Sequence, residues 1–210
     1  MTKRNNPRGE HLRRALAQEA ARIMSEQGIE DYLVAKRKAA ERWGAVDASV
    51  LPKNSEIEAA LAEHHRLFGA QKHAATLRQL RKIALQAMQM LQEFEPRLVG
   101  PVLSGTASEY TDITLHLFAE TPEAVSLRLM DARVPFESAQ RRFRYEPDRV
   151  VSYPAFRFVA GEQVIDAVVF PVDGIRQSPP SPVDGRPMQR ADTSNLQGLL
   201  AEQEKNVHWQ

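Results

Sequence analysis

Ser104-Gly105-Thr106, followed closely by Tyr110-Thr111-Asp112-Ile113-Thr114-Leu115-His116-Leu117, has the residue types of a phosphate and metal site. Backbone N–H groups in a small-residue turn can come close to phosphate oxygens, and alternate residues of a strand leave the same face. Asp112, Thr114 and His116 are therefore expected on one face. Carboxylates at the first two of these positions would clamp a divalent cation, but the second is a threonine, whose hydroxyl can join a magnesium shell without bringing charge. Asp166 stands alone in the apolar run Val164-Ile165-Asp166-Ala167-Val168-Val169-Phe170, where an acid needs a partner or a cation. An arginine such as Arg142 or Arg157 is one such partner. Asp112 reads equally as a strand-start carboxylate capping N–H groups, and His116 as a hydrogen-bonded strand-end histidine or as a metal ligand beside Asp112.

Helices fill residues 9 to about 95. Leu12, Leu16, Ala20, Ile23 and Met24 line a first helix that stops at Gly28. A second starts near Glu30 or Asp31 and runs to Trp43-Gly44, and a third opens on Ser55-Glu56-Ile57-Glu58, which fits a capping box. From about Gln71 to Glu95, Leu77, Leu80, Ala84, Ala87, Leu91 and Phe94 form one apolar seam, ended by Pro96.

Past Pro96 the period falls to two, and strands are expected at Arg97–Leu103, Thr111–Phe118, Val134–Tyr145, Val150–Val159 and Gln163–Phe170, with Gly161-Glu162 as a tight turn. Thr121-Pro122-Glu123 starts a short helix to Met130. Pro179, Pro180, Pro182 and Pro187 stiffen a loop around Asp184-Gly185-Arg186, and a last helix uses Leu196, Leu199 and Leu200.

The composition, 42% hydrophobic and 26% charged, is that of a folded globular chain. A net charge of +1 gives no overall pull toward nucleic acid or anionic lipid, although the first 96 residues hold 16 basic and 12 acidic side chains. The absence of cysteine excludes disulfides and thiolate chemistry. No apolar run approaches the roughly 20 residues of a membrane span, and the basic start lacks the apolar stretch of a secretory signal, so no membrane association and a cytoplasmic location are expected.

A strand, a small-residue turn, a strand bearing an aspartate, a helix and then antiparallel strands resemble the core of the nucleotidyltransferase superfamily with the DNA polymerase beta-like fold. The resemblance covers roughly residues 97 to 170. Gly105-Thr106 is similar to that family's turn, and Thr111-Asp112-Ile113-Thr114-Leu115 to its metal-binding strand, with Thr114 in place of the second carboxylate. The resemblance implies a nucleotide or other phosphate-bearing ligand held by Ser104, Gly105 and Thr106, and magnesium held by Asp112 with Asp166 as the stand-in for a third carboxylate. It also implies weak or lost transfer, because Thr114 supplies no charge. The expected fold is α+β: about four N-terminal helices packed on a mixed or antiparallel five-stranded sheet. Its divisions are a disordered start at 1–8, a helical region at 9–70, the core with its leading helix at 71–176, and the proline loop and last helix at 177–210.

Arg186 in the proline loop either serves a phosphate or sits in a plain turn. Lys36, Arg37, Lys38 and Arg42 on the second helix are either a solvated face or a footprint for a nucleic-acid or protein partner, which would make the chain a non-catalytic interaction module. Lys53, Lys72, Arg78, Arg81 and Lys82 extend this basic helical surface. Arg141-Arg142-Phe143-Arg144-Tyr145 alternates basic and aromatic residues, giving either a stacking platform or a core-facing Phe143 with outward arginines. His64, His65 and His73 have the wrong spacing for a helical metal pair and read as surface or cap histidines.

Overall fold

The computed structural model describes residues 7–44, 50–146 and 148–207. The fold is α+β, with seven α-helices and a five-stranded mixed sheet among the described residues. Two compact units emerge. One comprises Met1–His73 with Ser108–Thr111 and Pro182–Asp184, and the other Ala74–Ala107, Asp112–Ser181 and Gly185–Gln210.

In the helical unit, α1 (Pro7–Gln27), α2 (Tyr32–Arg42) and α3 (Asn54–Leu67) enclose a core of Leu16, Ala20, Ile23, Met24, Ala35, Ala39, Ile57 and Leu61. Helix α1 already includes Pro7, so it starts inside the stretch expected to be disordered; residues 1–6 lie outside the described residues. Gly28 ends α1 at φ +63°, and a Cβ there would lie 2.9 Å from Tyr110 Cβ.

Asp31 caps α2 by accepting from the N–H groups of Leu33 (2.7 Å) and Val34 (3.1 Å). Asp31→Ala leaves both donors without that partner, and the expected cost is about 1 kcal/mol, read as a lower urea midpoint with unchanged slope. An unchanged midpoint would show that water replaces the cap at no cost.

Helix α3 starts earlier than Ser55-Glu56-Ile57-Glu58 suggests. Glu56 accepts from the Lys53 backbone N–H at 2.6 Å, which closes the first turn two residues sooner.

In the second unit the strands are β1 (Arg97–Val99), β2 (Ile113–Phe118), β3 (Phe136–Glu146), β4 (Arg149–Ala160) and β5 (Gln163–Phe170), in the order β1-β2-β5-β4-β3. Only β2 and β5 run parallel. Helix α4 (Ala70–Met90) packs the seam Leu77, Leu80, Ala84 and Ala87 against Ile113, Leu115, Leu117, Ile165, Ala167 and Val169. Helix α6 (Pro122–Asp131) adds Val125 and Leu129 to the same core, and α7 (Thr193–Val207) adds Leu196. A single 3₁₀ turn at Gln92–Phe94 follows α4, so the regular helix stops short of Glu95. No described helix is long and apolar enough to cross a membrane.

The strand expected at Arg97–Leu103 is cut short. Gly100 takes φ +71°, a conformation L residues avoid, and Pro101 then starts the four-residue helix α5 (Pro101–Ser104). Arg81, read above as surface charge, is buried, and its guanidinium donates to Val102 O (3.1 Å) and Leu103 O (3.0 Å), carbonyls near the end of α5. Burial lowers its pKa.

Candidate functional site

Cross-strand register places the chemistry-bearing residues. Thr114 on β2 lies opposite Asp166 on β5, Asp166 opposite Arg157 on β4, and Arg157 opposite Glu137 on β3. Residues directly opposite in a sheet share a face, so these four form one polar row, and Asp112 comes from the same side one residue before β2 begins. This is the face away from α4 and α6, whose partners are the interleaved residues Ile113, Leu115, Ile165 and Ala167.

Both carboxylates already hold an arginine. Asp112 Oδ2 accepts from Arg157 Nη2 at 2.8 Å, with both side chains about one-third exposed. Asp166 is nearly buried and accepts a two-pronged contact from Arg141, Nε at 2.6 Å and Nη2 at 2.9 Å. The partner of Asp166 is thus neither Arg142 nor Arg157. Parity along β3 sends Arg141 and Phe143 to the polar face and Arg142 and Arg144 to the other, exposed, side. Arg157 is taken by Asp112, and its Nε is buried without a hydrogen-bond partner among the described residues.

The turn is organised differently from the expected phosphate cradle. The N–H groups of Gly105 (2.9 Å), Thr106 (3.0 Å) and Ala107 (3.2 Å) all donate to Pro101 O, so they are turned inward to the start of α5. Gly105 at φ +92° permits this reversal. The Thr106 hydroxyl is buried and lies 3.0 Å from Ser104 Oγ, leaving Ser104 as the exposed residue of the turn.

His116 shares the face of Thr114 but sits in an aromatic cluster with Phe143 and Phe170, fully buried. Its Nδ1 accepts from Arg190 Nε at 3.1 Å, which places the ring proton on Nε2, and that nitrogen has no hydrogen-bond partner among the described residues. Arg190 lies over the rings of Phe118 (4.9 Å) and Phe170 (5.3 Å) and donates to Gly174 O and Ile175 O. A cation at Nδ1 and burial of the remaining nitrogen withdraw His116 from metal ligation.

No family model, curated protein or solved structure matches the chain. Any kinship therefore rests on the residues and topology described above.

A resident magnesium ion does not fit this donor set. Its ligands would be Asp112 and Asp166 with the Thr114 hydroxyl, and an ion on either carboxylate would lie within about 5 Å of a guanidinium, where like charges repel by several kcal/mol. Among the described residues no group of three or more His, Asp or Glu side chains is arranged to hold a metal.

Arg186 belongs to a hairpin-like turn in which Ser181 N–H donates to Arg186 O at 2.7 Å and Gly185 takes φ +74°. The basic side chains of α2 are mostly committed. Arg42 pairs with Glu19 at 2.6 Å, Lys38 donates to Gln27 at 2.9 Å, and Lys36 is partly buried with a pKa lowered by that burial; Arg37 is exposed. His65, expected at the surface, is buried and stacks on His73 with centroids 3.9 Å apart.

The residues that sequence reasoning missed are Arg141 and Arg190. The alternation along β3 carried a signal for Arg141. Arg190 lies in an irregular segment 74 residues from His116 and carried none.

Proposed function

We propose that the chain is a nucleotidyltransferase-like protein that binds a nucleotide or another phosphate-bearing ligand on the Asp112–Asp166 face, with metal-dependent nucleotidyl transfer weak or lost. The observation that carries the reading is the register of Thr114 with Asp166 on neighbouring parallel strands, two residues along the chain from Asp112. An acid in an apolar strand next to an aspartate-bearing strand is the arrangement a carboxylate site needs, and Thr114 is the position where that site lacks charge. The two arginines that neutralise Asp112 and Asp166 account for weak or absent turnover, since metal-assisted transfer requires carboxylates free to bind the cation.

Thr114→Asp adds a third carboxylate to two arginines and is expected to create magnesium binding, and magnesium-dependent transfer of the adenylyl group of ATP to water, with release of pyrophosphate, above the wild-type level. Calorimetry and a pyrophosphate assay measure the two effects. Absence of ATP and magnesium binding in both wild type and variant would remove the reading.

A further inference from the structure

We infer that the polar face holds phosphate oxygens directly with Arg157 and Arg141, without a divalent cation, and that Asp112 acts as an internal competitor for the arginine that receives them. The inference rests on the proposed phosphate-bearing ligand and specifies how that ligand is held.

Arg157 is the less satisfied of the two arginines. Asp112 engages only its Nη2, and the side chain is 37% exposed; its Nε is buried, so the donors left for an anion are those of the two outer nitrogens, Nη1 and Nη2. A guanidinium offers five N–H donors in a planar fork that matches two phosphate oxygens, so Arg157 has donors to spare for an incoming anion. Arg141 is fixed by its two contacts to Asp166 and by Nη1 donating to Gln140 O at 3.2 Å. That fixes a second positive charge on Asp166, the residue directly opposite Arg157, with no ordering cost when the ligand arrives.

The carboxylates set the sign of the test. Asp112 and the exposed Glu137, opposite Arg157, both oppose an anion, whereas in a metal site Asp112 would be indispensable. Removing the Asp112 charge therefore has opposite consequences in the two cases. Asp112→Asn keeps the shape, and the position is one-third exposed, so the fold should tolerate it.

The experiment is calorimetric titration of the full chain with ATP, once in EDTA and once with magnesium. The expected results are binding that persists in EDTA, at least threefold tighter binding by Asp112→Asn, and at least tenfold weaker binding by Arg157→Gln. Arg141→Lys, which keeps the charge and loses the fork, should weaken binding less than Arg157→Gln. Arg144→Gln, on the opposite side of β3, should bind as wild type. Inorganic pyrophosphate should compete and adenosine should not. Binding that requires magnesium and disappears in Asp112→Asn overturns the arginine clamp while leaving a nucleotide site in place. Competition by adenosine but not by pyrophosphate overturns it as well, because the ligand would then be held through its base. Failure of ATP to bind in either condition overturns both the clamp and the nucleotide reading beneath it.

Discussion

Arg141→Ala is expected to lower the free energy of unfolding by about 3 kcal/mol, the lower end of the range for removing one partner of a buried ion pair. The reason lies with Asp166. Its side chain is 10% exposed in an apolar strand, and its two oxygens accept from Arg141 Nε and Nη2. Without the guanidinium, the carboxylate is left poorly solvated, with no counter-charge and two hydrogen bonds lost. The reverse deletion is milder. Arg141 is 35% exposed, so in Asp166→Ala its guanidinium can turn toward water and recover hydration. The double variant should accordingly be more stable than Arg141→Ala alone, a non-additivity that urea unfolding of the four proteins measures. Equal losses from the two single changes, or a loss below about 1 kcal/mol for Arg141→Ala, would place the pair in water-like surroundings. Because Arg141 also belongs to the proposed clamp, this stability series accompanies the Arg141→Lys binding measurement and separates loss of fold from loss of ligand.

The same residue shows how far the site could be read from the sequence. Period-two alternation places Asp112, Thr114 and His116 on one face, and it equally places Arg141 with Phe143, so it is Arg141 and not Arg142 that can reach Asp166. Pairing between strands is a different matter. Thr114 meets Asp166 only because β5 inserts between β2 and β4, an order that no local pattern encodes. Elements bounded by strong local signals were legible: Thr121-Pro122 opens α6, and Gly161 at φ +64° turns β4 into β5. The misreading at Arg97–Leu103 has a local cause of another kind. Its alternation is strand-like, but Gly100 and Pro101 together redirect the backbone into α5, and the turn that follows spends its N–H groups on Pro101 O. Whether a small-residue turn cradles a phosphate depends on where those N–H groups point, which residue types alone do not decide.

Acid should destabilise the protein through His116 well before its carboxylates are protonated. Burial pushes the His116 pKa down to about 3, with a smaller contribution from the charge of Arg190. In the unfolded chain the imidazole returns to about 6.5. Above that value neither state is protonated and the stability is fully present. Below it, the unfolded chain binds a proton that the folded chain excludes, so stability falls by up to about 1.4 kcal/mol per pH unit until the folded pKa is reached. Between pH 6.5 and 5 the expected loss is about 2 kcal/mol. Acid also acts on groups other than His116, so the comparison needs a variant that removes only the imidazole. His116→Asn keeps an oxygen near the position of Nδ1 for Arg190 Nε and has no proton to gain. It should start less stable than wild type at pH 7, because a ring leaves the cluster with Phe143 and Phe170, and lie closer to it at pH 5. Urea unfolding at each pH gives the difference directly. A constant difference across this window, or a C–H resonance of the His116 ring itself that titrates near pH 6.5 in wild type, would contradict a neutral buried His116 and return that ring to the set of available ligands.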